Sequence, residues 1–534
     1  MRTRDLTLRS TALLVLLTFA AILVHGYHPG AEDDFVYLPA IKHKLNPALY
    51  PHDAEFFALQ LQATVFDKVV AWSVRLTRLP LDWVVLAWQA AAIFLVLFGC
   101  WKIARRCFSE NHARWAGVLL IAALLTMPVA GTALYLVDQH LHPRALATAF
   151  VLFAIASVLD RRFIRAIVWI FVAFAFHPIM AAFGASYCFF LAWPFAGARK
   201  ENGPATVPSG SRSAPLGATV RGIVVVPGLV AALPLGWIFE QPTAAWREAA
   251  ATRSYYFLGK QEWYEWLGTF APLVILFWFS RLGKIGSPAG TDVIKSQAER
   301  RPSGYPIIRS PEQALSLVSR RLIWFALFQF TVTLAIMLPP QVERFRTLQP
   351  LRYLHLVYVL MLLLGGGLLG KYVLKQKRWR WAVLFIPIAA GMFYAQRQQF
   401  PASAHVELGR AAVRNRWVQA FEWVRENAPG DAYFALGPRY YELPGQDWHS
   451  FRAIAERSQL ADALKDPSVS TQVPRLAARW QRESHAQDGW EHFQRSDFER
   501  LKRDFGVNWV VLDHDVPGLN CPHSQRGISV CTIE

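Results

Sequence analysis

Residues 82–101, DWVVLAWQAAAIFLVLFGCW, form an apolar run with a single charged residue at its start. A transmembrane helix needs roughly 20 mainly apolar residues, so this stretch predicts one membrane span. Ten further stretches of the same kind lie near residues 10–26, 115–136, 145–159, 164–177, 179–195, 222–239, 266–280, 321–338, 354–370 and 381–396. Together they predict an all-α polytopic membrane bundle of about 11 transmembrane helices.

The whole chain has the same apolar bias. Hydrophobic residues make up 54% of the 534 residues and charged residues only 18%, and the mean hydropathy is +0.22. A single soluble domain could not cover so much apolar surface with so few polar groups. Residues 164–195 are long enough for one helix, but His177-Pro178 lies in the middle. Because proline removes a donor and disfavours helical geometry before it, we predict two helices there.

The first span sets the predicted orientation. Arg2, Arg4 and Arg9 precede it, and no small-x-small cleavage site follows it, so we expect an uncleaved anchor. With a cytoplasmic N-terminus, the inner loops hold most of the Lys and Arg residues, as the positive-inside rule requires. We therefore predict a protein of the bacterial inner membrane, with an extracytoplasmic C-terminal region.

The chain is predicted to divide into two domains. Residues 1–397 form a transmembrane domain with a long first outer loop (27–80) and two flexible cytoplasmic loops (198–220 and 281–319), which are rich in Gly, Pro, Ser and charge. Residues 398–534 alternate helix-like and strand-like segments and form a small extracytoplasmic α/β domain.

The net charge of +18 lies in the membrane part, since residues 398–534 are close to neutral. A nucleic-acid partner would need a basic folded surface, so we expect none. Cys521 and Cys531 flank a short polar segment in this domain. An exported domain permits a disulfide between them, and two free thiols are the equal alternative, because the sequence does not show whether the geometry allows a bond.

The first outer loop is predicted to contain an amphipathic helix on the membrane surface. It has apolar residues at helical spacing and polar residues on the other side. The apolar positions are Phe57, Leu61, Val65, Val69, Trp72 and Leu76. The helix either packs over the bundle or guides a lipid.

Most chemistry-bearing residues fall in segments that the topology places outside. Three adjacent carboxylates follow the first span, two histidines and an arginine follow Asp138, and three arginines precede the tenth span. The set is Glu32, Asp33, Asp34, Asp138, His140, His142, Arg144, His177, Arg344, Arg346 and Arg352. Such groups are costly to desolvate near a bilayer, so their clustering on one face indicates a functional site.

The residue types suggest displacement at a carbon that bears a lipid phosphate. Arginine offers a donor fork to phosphate oxygens, and a carboxylate can take a proton from an attacking hydroxyl. Histidines or a carboxylate can hold a divalent metal that neutralises the leaving phosphate. Asp138 and Glu32 are the metal-ligand candidates, with Mg²⁺ or Mn²⁺ as the ion, although His140-Leu-His142 matches no known metal spacing.

In layout, and in the acidic group after the first helix, the chain resembles the GT-C superfamily of integral-membrane glycosyltransferases. The resemblance implies a polyprenyl-phosphate sugar donor, Asp33 or Asp34 as the catalytic carboxylate, and inversion at the sugar. Arg144, His140, His142, His177, Arg344, Arg346 and Arg352 would bind substrate or phosphate. The Trp-Trp-Asp-Tyr-Gly signature of the oligosaccharyltransferase branch is absent, which disfavours a peptide acceptor.

The predicted partners are therefore a lipid-linked sugar donor, membrane lipid, and an acceptor that is a glycan, lipid or protein. Two other classes stay open. One is a transporter or flippase for a lipid-linked or anionic solute, which would need polar residues along a central path. The other is a non-catalytic membrane assembly protein, which would leave the Asp pair unexplained.

Overall fold

The computed structural model describes residues 2–193, 241–285, 310–408 and 414–534. The predicted span 222–239 and the predicted loop 198–220 lie outside the described residues, as does most of the loop 281–319. The described part of the chain is mostly helical, with two β-sheets.

Helices dominate the first 400 residues. Their bounds are Arg2–His25, Asp34–Leu45, Glu55–Leu61, Phe66–Thr77, Leu81–Cys107, Asn111–Ala123, Pro143–Leu159, Phe163–Phe176, Pro178–Ala192, Ala244–Ala251, Trp263–Ile285, Pro311–Met337, Tyr353–Leu369 and Arg378–Gln399. Four stretches among the described residues are long and apolar enough to cross a membrane: Leu8–His25, Leu81–Cys107, Pro311–Met337 and Pro350–Leu374. The chain is thus an integral membrane protein.

The break predicted at His177-Pro178 is confirmed. One helix ends at Phe176 and the next begins at Pro178. His177 is extended and its Nδ1 accepts a hydrogen bond from the Met180 amide at 3.4 Å. A proline at the first helical position and a capping side chain before it are typical of a helix start.

The predicted span 115–136 is wrong in its second half. The helix ends at Ala123, and residues 124–136 form a turn that contains the two-stranded antiparallel sheet of β1 (Pro128–Val129) and β2 (Leu134–Tyr135). Pro128 cannot donate a helical hydrogen bond. Gly131 has a φ of +68°, which only glycine adopts at no steric cost.

The predicted amphipathic helix of the first outer loop is two helices, Glu55–Leu61 and Phe66–Thr77. The second buries Phe66 and Val70, whereas Trp72 and Leu76 are 61% and 64% exposed. The predicted apolar positions are therefore partly buried and partly exposed, because only one side of the second helix packs on the bundle.

The helix Pro143–Leu159 lies at the centre of the bundle, and nearly all of its residues are buried. Glycines let helices approach closely, both at this helix and between the helices Asn111–Ala123 and Tyr353–Leu369. A Cβ on Gly99 would lie 2.7 Å from Leu152 Cβ, and a Cβ on Gly366 would lie 2.9 Å from Gly117 Cα. Close approach of helix backbones through small residues is the usual packing mode in membranes.

A five-stranded mixed sheet lies in the C-terminal region, in the order β4-β3-β5-β7-β6. β3 pairs in parallel with β4 and β5, and β7 pairs antiparallel with β5 and β6. The strands are β3 (Tyr433–Leu436), β4 (Ser458–Gln459), β5 (Trp509–Leu512), β6 (Asn520–Gln525) and β7 (Ile528–Thr532). The accompanying helices are Arg416–Asn427, Phe451–Ala455, Asp466–Gln472, Ala477–His485 and Arg495–Phe505. A disulfide joins Cys521 to Cys531 across β6 and β7.

The C-terminal region packs directly on the first outer loop. Arg452 is buried and pairs with Asp53 of that loop and with Asp466, whose oxygens it reaches at 2.8 and 2.9 Å. Lys42 Nζ lies 2.6 Å from Glu456 Oε1. A buried charge must keep its partners, so these pairs fix the register between the two segments.

Candidate functional site

A cavity of about 1120 Å³ lies between the ends of the apolar helices and the C-terminal region. Seven of the residues predicted from sequence line it: Glu32, Asp33, Asp138, His142, Arg144, His177 and Arg352. A concave site with convergent polar groups is the usual form of a ligand-binding site.

Asp33 is held between two donors on the cavity wall. Its Oδ1 accepts from Lys465 Nζ at 2.6 Å, and its Oδ2 lies 3.3 Å from His142 Nε2. The Asp33 side chain keeps 37% of its surface accessible. The carboxylate is therefore oriented and still open to a ligand in the cavity.

The electrostatics keep Asp33 ionised. Burial alone would raise the pKa of its carboxyl group, but the nearby Lys465 ammonium, followed by His142 and Arg144, outweighs burial and holds the pKa well below its usual value. Burial lowers the pKa of His142 to about 4, helped by Arg144 and opposed by Asp138 and Asp33. The site therefore contains an ionised Asp33 carboxylate, and beside it lie cations and a neutral His142 imidazole.

His142 is held in one tautomer by its own turn. Its Nδ1 accepts from the Arg144 amide at 2.9 Å, so the proton of the neutral ring sits on Nε2 and points to Asp33. The His142 and His177 rings are stacked, with centroids 6.3 Å apart. The start of the helix Pro143–Leu159 thus delivers an imidazole donor to the carboxylate.

Arg144 and Asp138 form a buried ion pair. A single guanidinium nitrogen, Nη2, reaches both Asp138 oxygens, at 2.6 and 2.7 Å, and the two residues are 2% and 4% exposed. Nε and Nη1 of Arg144 have no hydrogen-bond partner among the described residues, and neither has Nε of Arg352. Unused guanidinium donors beside a cavity suit an oxyanion ligand.

The three adjacent carboxylates have different surroundings. Asp34 is 2% exposed, does not line the cavity, and accepts from the Gly30 amide at 2.8 Å. Glu32 does line the cavity, with its backbone at a φ of 50° and its amide bonded to the Trp448 carbonyl at 2.9 Å. Burial raises the pKa of Glu32 to about 7 and that of Asp34 to about 6. Of the two aspartates, only Asp33 faces the cavity.

Three predicted substrate-binding residues lie away from the cavity lining: His140, Arg344 and Arg346. His140 is buried behind His142, with ring centroids 6.1 Å apart. Arg344 lies over the Phe345 ring, and Arg346 donates to the Met337 carbonyl at 3.1 Å. Arg344 and Arg346 follow the apolar helix Pro311–Met337, and their side chains contact the end of that helix and the Phe345 ring.

The predicted metal ligands are engaged elsewhere. Both oxygens of Asp138 accept from Arg144, and Glu32 Oε1 accepts from Gln399 Nε2 at 2.7 Å. Within the described ranges, no group of three or more His, Cys, Asp and Glu side chains is arranged to hold a metal ion. Glu32 and Asp138 therefore do not fit the metal site that the sequence predicts, since a metal needs several convergent oxygen or nitrogen ligands.

Three cations that line the cavity were missed by the sequence analysis: Lys465, Arg253 and the exposed Arg475. Lys465 belongs to the C-terminal region, 432 positions from its partner Asp33. Arg253 follows the short helix Ala244–Ala251 and is 7% exposed. None of the three lies in a motif, so only their tertiary position shows their relation to the cavity.

Comparison with known proteins gives partial structural similarity. No protein-family model and no curated protein sequence matches the chain. The chain is similar to three structures of the oligosaccharyltransferase of Archaeoglobus fulgidus, one in complex with Zn and sulfate, one with an inhibitory peptide and a dolichol-phosphate, and one in the apo form. The TM-scores are 0.44, 0.41 and 0.40 at 13%, 13% and 12% identity. The alignments cover 93–94% of this chain and 67–69% of the others.

Proposed function

We propose that the chain is a membrane glycosyltransferase of the GT-C type, which moves a sugar from a polyprenyl-phosphate carrier to a hydroxyl of an extracytoplasmic acceptor. The observation that carries the proposal is the Asp33 carboxylate, held between Lys465 and His142 on a cavity wall that also contains Arg144 and Arg352. A base and an oxyanion-binding pair in one cavity are the two requirements of this reaction.

The donor phosphate binds on the side of the cavity that contains Arg144 and Arg352. Nε and Nη1 of Arg144 and Nε of Arg352 are buried without partners, and phosphate oxygens satisfy such donors in pairs. Asp138 keeps Arg144 in place through both of its oxygens. The sugar's anomeric carbon then lies between the phosphate and Asp33.

Transfer is a direct displacement. The acceptor hydroxyl oxygen attacks the anomeric carbon, its proton passes to Asp33, and the bond from that carbon to the phosphate oxygen breaks. The polyprenyl phosphate leaves with the electron pair, and its negative charge is stabilised by Arg144 and Arg352. A single displacement inverts the configuration at the sugar, by analogy with the superfamily.

The apolar helices support a lipid carrier, because four of them are long enough to span a bilayer and one of these, Pro350–Leu374, lines the cavity with Arg352 and Tyr358. The polar groups gather there, whereas the buried residues of the central helix Pro143–Leu159 after Arg144 are apolar except for Thr148 and Ser157. A transporter would need polar groups along a central path, so transfer is favoured over transport.

A panel of radiolabelled polyprenyl-phosphate sugars tests the proposal. Purified full-length protein in nanodiscs is incubated with each donor and with envelope glycan as acceptor. We expect one donor to transfer label to the acceptor and the Asp33→Asn variant to lose that transfer. The control is Asp160→Asn, in an exposed ion pair with Arg106 outside the cavity. If no donor were consumed, or if Asp33→Asn transferred as well as the control, the proposal would be overturned.

A further inference from the structure

A buried carboxylate and two imidazoles meet beside the turn that carries Asp33. Glu407 Oε1 lies 2.6 Å from His28 Nδ1, and both Glu407 oxygens lie 3.1 Å from His449 Nε2. The side chains of His28 and His449 are 0% and 1% exposed, and that of Glu407 is 13% exposed. None of the three lines the cavity, so the proposed reaction does not use them.

The three residues come from distant parts of the chain. His28 lies directly after the first helix, Glu407 follows the helix Arg378–Gln399, and His449 belongs to the C-terminal region. Nε2 of His28 and Nδ1 of His449 have no hydrogen-bond partner among the described residues. Glu407 is thus the hydrogen-bonding partner that the two rings share, and it joins the two segments that carry them.

The same segments hold the backbone of the turn. The Tyr27 amide donates to the His405 carbonyl at 3.0 Å, and the Tyr27 carbonyl accepts from the Glu407 amide at 2.9 Å. On the other side, the Ser450 amide donates to the Gly30 carbonyl at 2.8 Å. The turn therefore lies between the segment of Glu407 and that of His449.

The turn needs this support because its backbone is strained next to Asp33. Glu32 has a φ of 50°, which a residue with a side chain rarely adopts and which persists only where the surroundings hold it. Its amide donates to the carbonyl of Trp448 at 2.9 Å, and Trp448 precedes His449 in the chain. The contact between His449 and Glu407 therefore fixes the segment that holds Glu32 and, with it, the direction of Asp33.

The surrounding charges favour a charged contact between Glu407 and His449. Burial would raise the pKa of Glu407, but the charge of His449 and the hydrogen bonds from both rings outweigh it and lower that pKa to about 2. Burial would lower the pKa of His449, but Glu407, followed by Asp447 and Asp34, outweighs burial and raises it. Burial lowers the pKa of His28. When His449 loses its proton, the buried Glu407 charge is left without a counter-charge.

We propose that Glu407 is a positioning residue for sugar transfer, which holds the turn that directs Asp33 into the cavity through its contacts with His28 and His449. The proposal rests on the proposed function in taking Asp33 as the base. Arg144 is held separately by Asp138, so donor binding should survive the loss of Glu407.

The pH dependence of the contact follows from its charges. As the pH rises through the raised pKa of His449, the imidazolium loses its charge and the hold on the turn weakens. Asp33, whose pKa lies well below its usual value, stays ionised over this range. We therefore expect transfer to fall on the alkaline side because of His449 and not because of the base.

Hydrogen–deuterium exchange of the full-length protein in nanodiscs tests the hold without relying on transfer. The variant is Glu407→Gln, which keeps the shape of the side chain and removes its charge. The matched control is Glu499→Gln, which removes an exposed carboxylate paired with Arg495. At one pH, we expect peptides with the amides of Glu32 and Ser450 to exchange about tenfold faster or more in Glu407→Gln, as the loss of a charged hydrogen bond implies, and to exchange at the wild-type rate in the control.

The second measurement is kcat and KM for the radiolabelled donor from neutral to alkaline pH. For Glu407→Gln we expect a kcat about tenfold lower at neutral pH, since the base is misplaced, an unchanged KM, and no alkaline fall. An alkaline fall caused by Glu32, whose pKa is about 7, would remain in this variant. His449→Gln should behave in the same way, and the double variant should lose no more than either single variant, because both remove one contact.

Wild-type exchange in Glu407→Gln would overturn the inference, and so would a lower kcat with an unchanged alkaline fall, which marks a merely structural role. If Glu407→Gln does not fold, a wild-type pH profile in His449→Gln overturns it instead. The fate of the proposed function is separate. Faster exchange in Glu407→Gln, with no donor used by the wild type, would leave the hold standing and remove the reaction. Transfer by the wild type, with unchanged exchange in the variant, would do the reverse.

Discussion

Replacing Lys465 by Met should shift the pH dependence of sugar transfer. Lys465 Nζ lies 2.6 Å from Asp33 Oδ1, and an opposite charge at this distance lowers a carboxyl pKa by about 1–3 units. The Asp33 side chain is 37% exposed, so water screens the pair. We therefore expect the pKa of Asp33 to rise in the variant, by less than an unscreened pair would give.

The direction of the shift in the pH profile follows from the loss of the positive charge of Lys465. In the wild type the pKa of Asp33 is held well below its usual value, so the base stays ionised into acidic solution. Without Lys465 the carboxyl group takes a proton at higher pH. The fall of transfer on acidification should then begin at a higher pH than in the wild type.

The assay is the transfer rate from the radiolabelled donor in nanodiscs, measured from acidic to alkaline pH. Lys465→Arg is the matched control, because it keeps the charge beside Asp33 and should keep the wild-type profile. An acid limb of Lys465→Met that coincides with the wild type would refute the view that Lys465 sets the ionisation of Asp33.

Three further predictions concern stability, each read from thermal unfolding of the purified protein. Asp138→Ala should cost about 3–5 kcal/mol because it leaves the buried Arg144 unpaired, and an unchanged midpoint would contradict this. Arg452→Met should cost a similar amount, since Asp53 and Asp466 are 0% and 2% exposed in the pair, whereas a neutral effect would show that this network does not hold the two segments together. Cys521→Ser should cost up to about 3 kcal/mol, since the disulfide closes a loop with a sequence separation of only 10, and equal stability under reducing and oxidising conditions would argue against the bond.

The sequence predicts a membrane helix well where the length of an apolar run is enough to identify it. Leu81–Cys107 contains the predicted span 82–101, and Pro311–Met337 overlaps the predicted span 321–338 but begins ten residues earlier. A long apolar run has few other stable states in a bilayer. The span 115–136 is wrong because the apolar composition hides a turn. Two residues signal this turn in the sequence. Pro128 ends a helix, and Gly131 allows a positive φ.

The candidate site is predicted in part. Asp33, Asp138, His142, Arg144, His177 and Arg352 share a cavity wall, as expected for segments on one side of the membrane. The choice between Asp33 and Asp34 depends on a turn that directs one side chain to the cavity and the other to the Gly30 amide.

The cations Lys465 and Arg253 could not be found from sequence. Lys465 meets Asp33 across 432 positions, and its place depends on how the C-terminal region packs on the first outer loop. Arg253 lies next to a short helix with no motif. Their positions follow from tertiary contacts that no local pattern encodes.

If Asp33 is the carboxylate that acts on the lipid-linked donor, the transfer rate of Asp33→Asn must fall far below that of Asp34→Asn, and the two rates are measured side by side. Asparagine keeps the shape of each side chain, and at position 34 it can still accept from the Gly30 amide. We predict a loss of about 10²-fold or more for Asp33→Asn, the usual contribution of a positioned base, and a much smaller loss for Asp34→Asn. Equal rates for the two variants, or a larger loss at Asp34, would contradict the account.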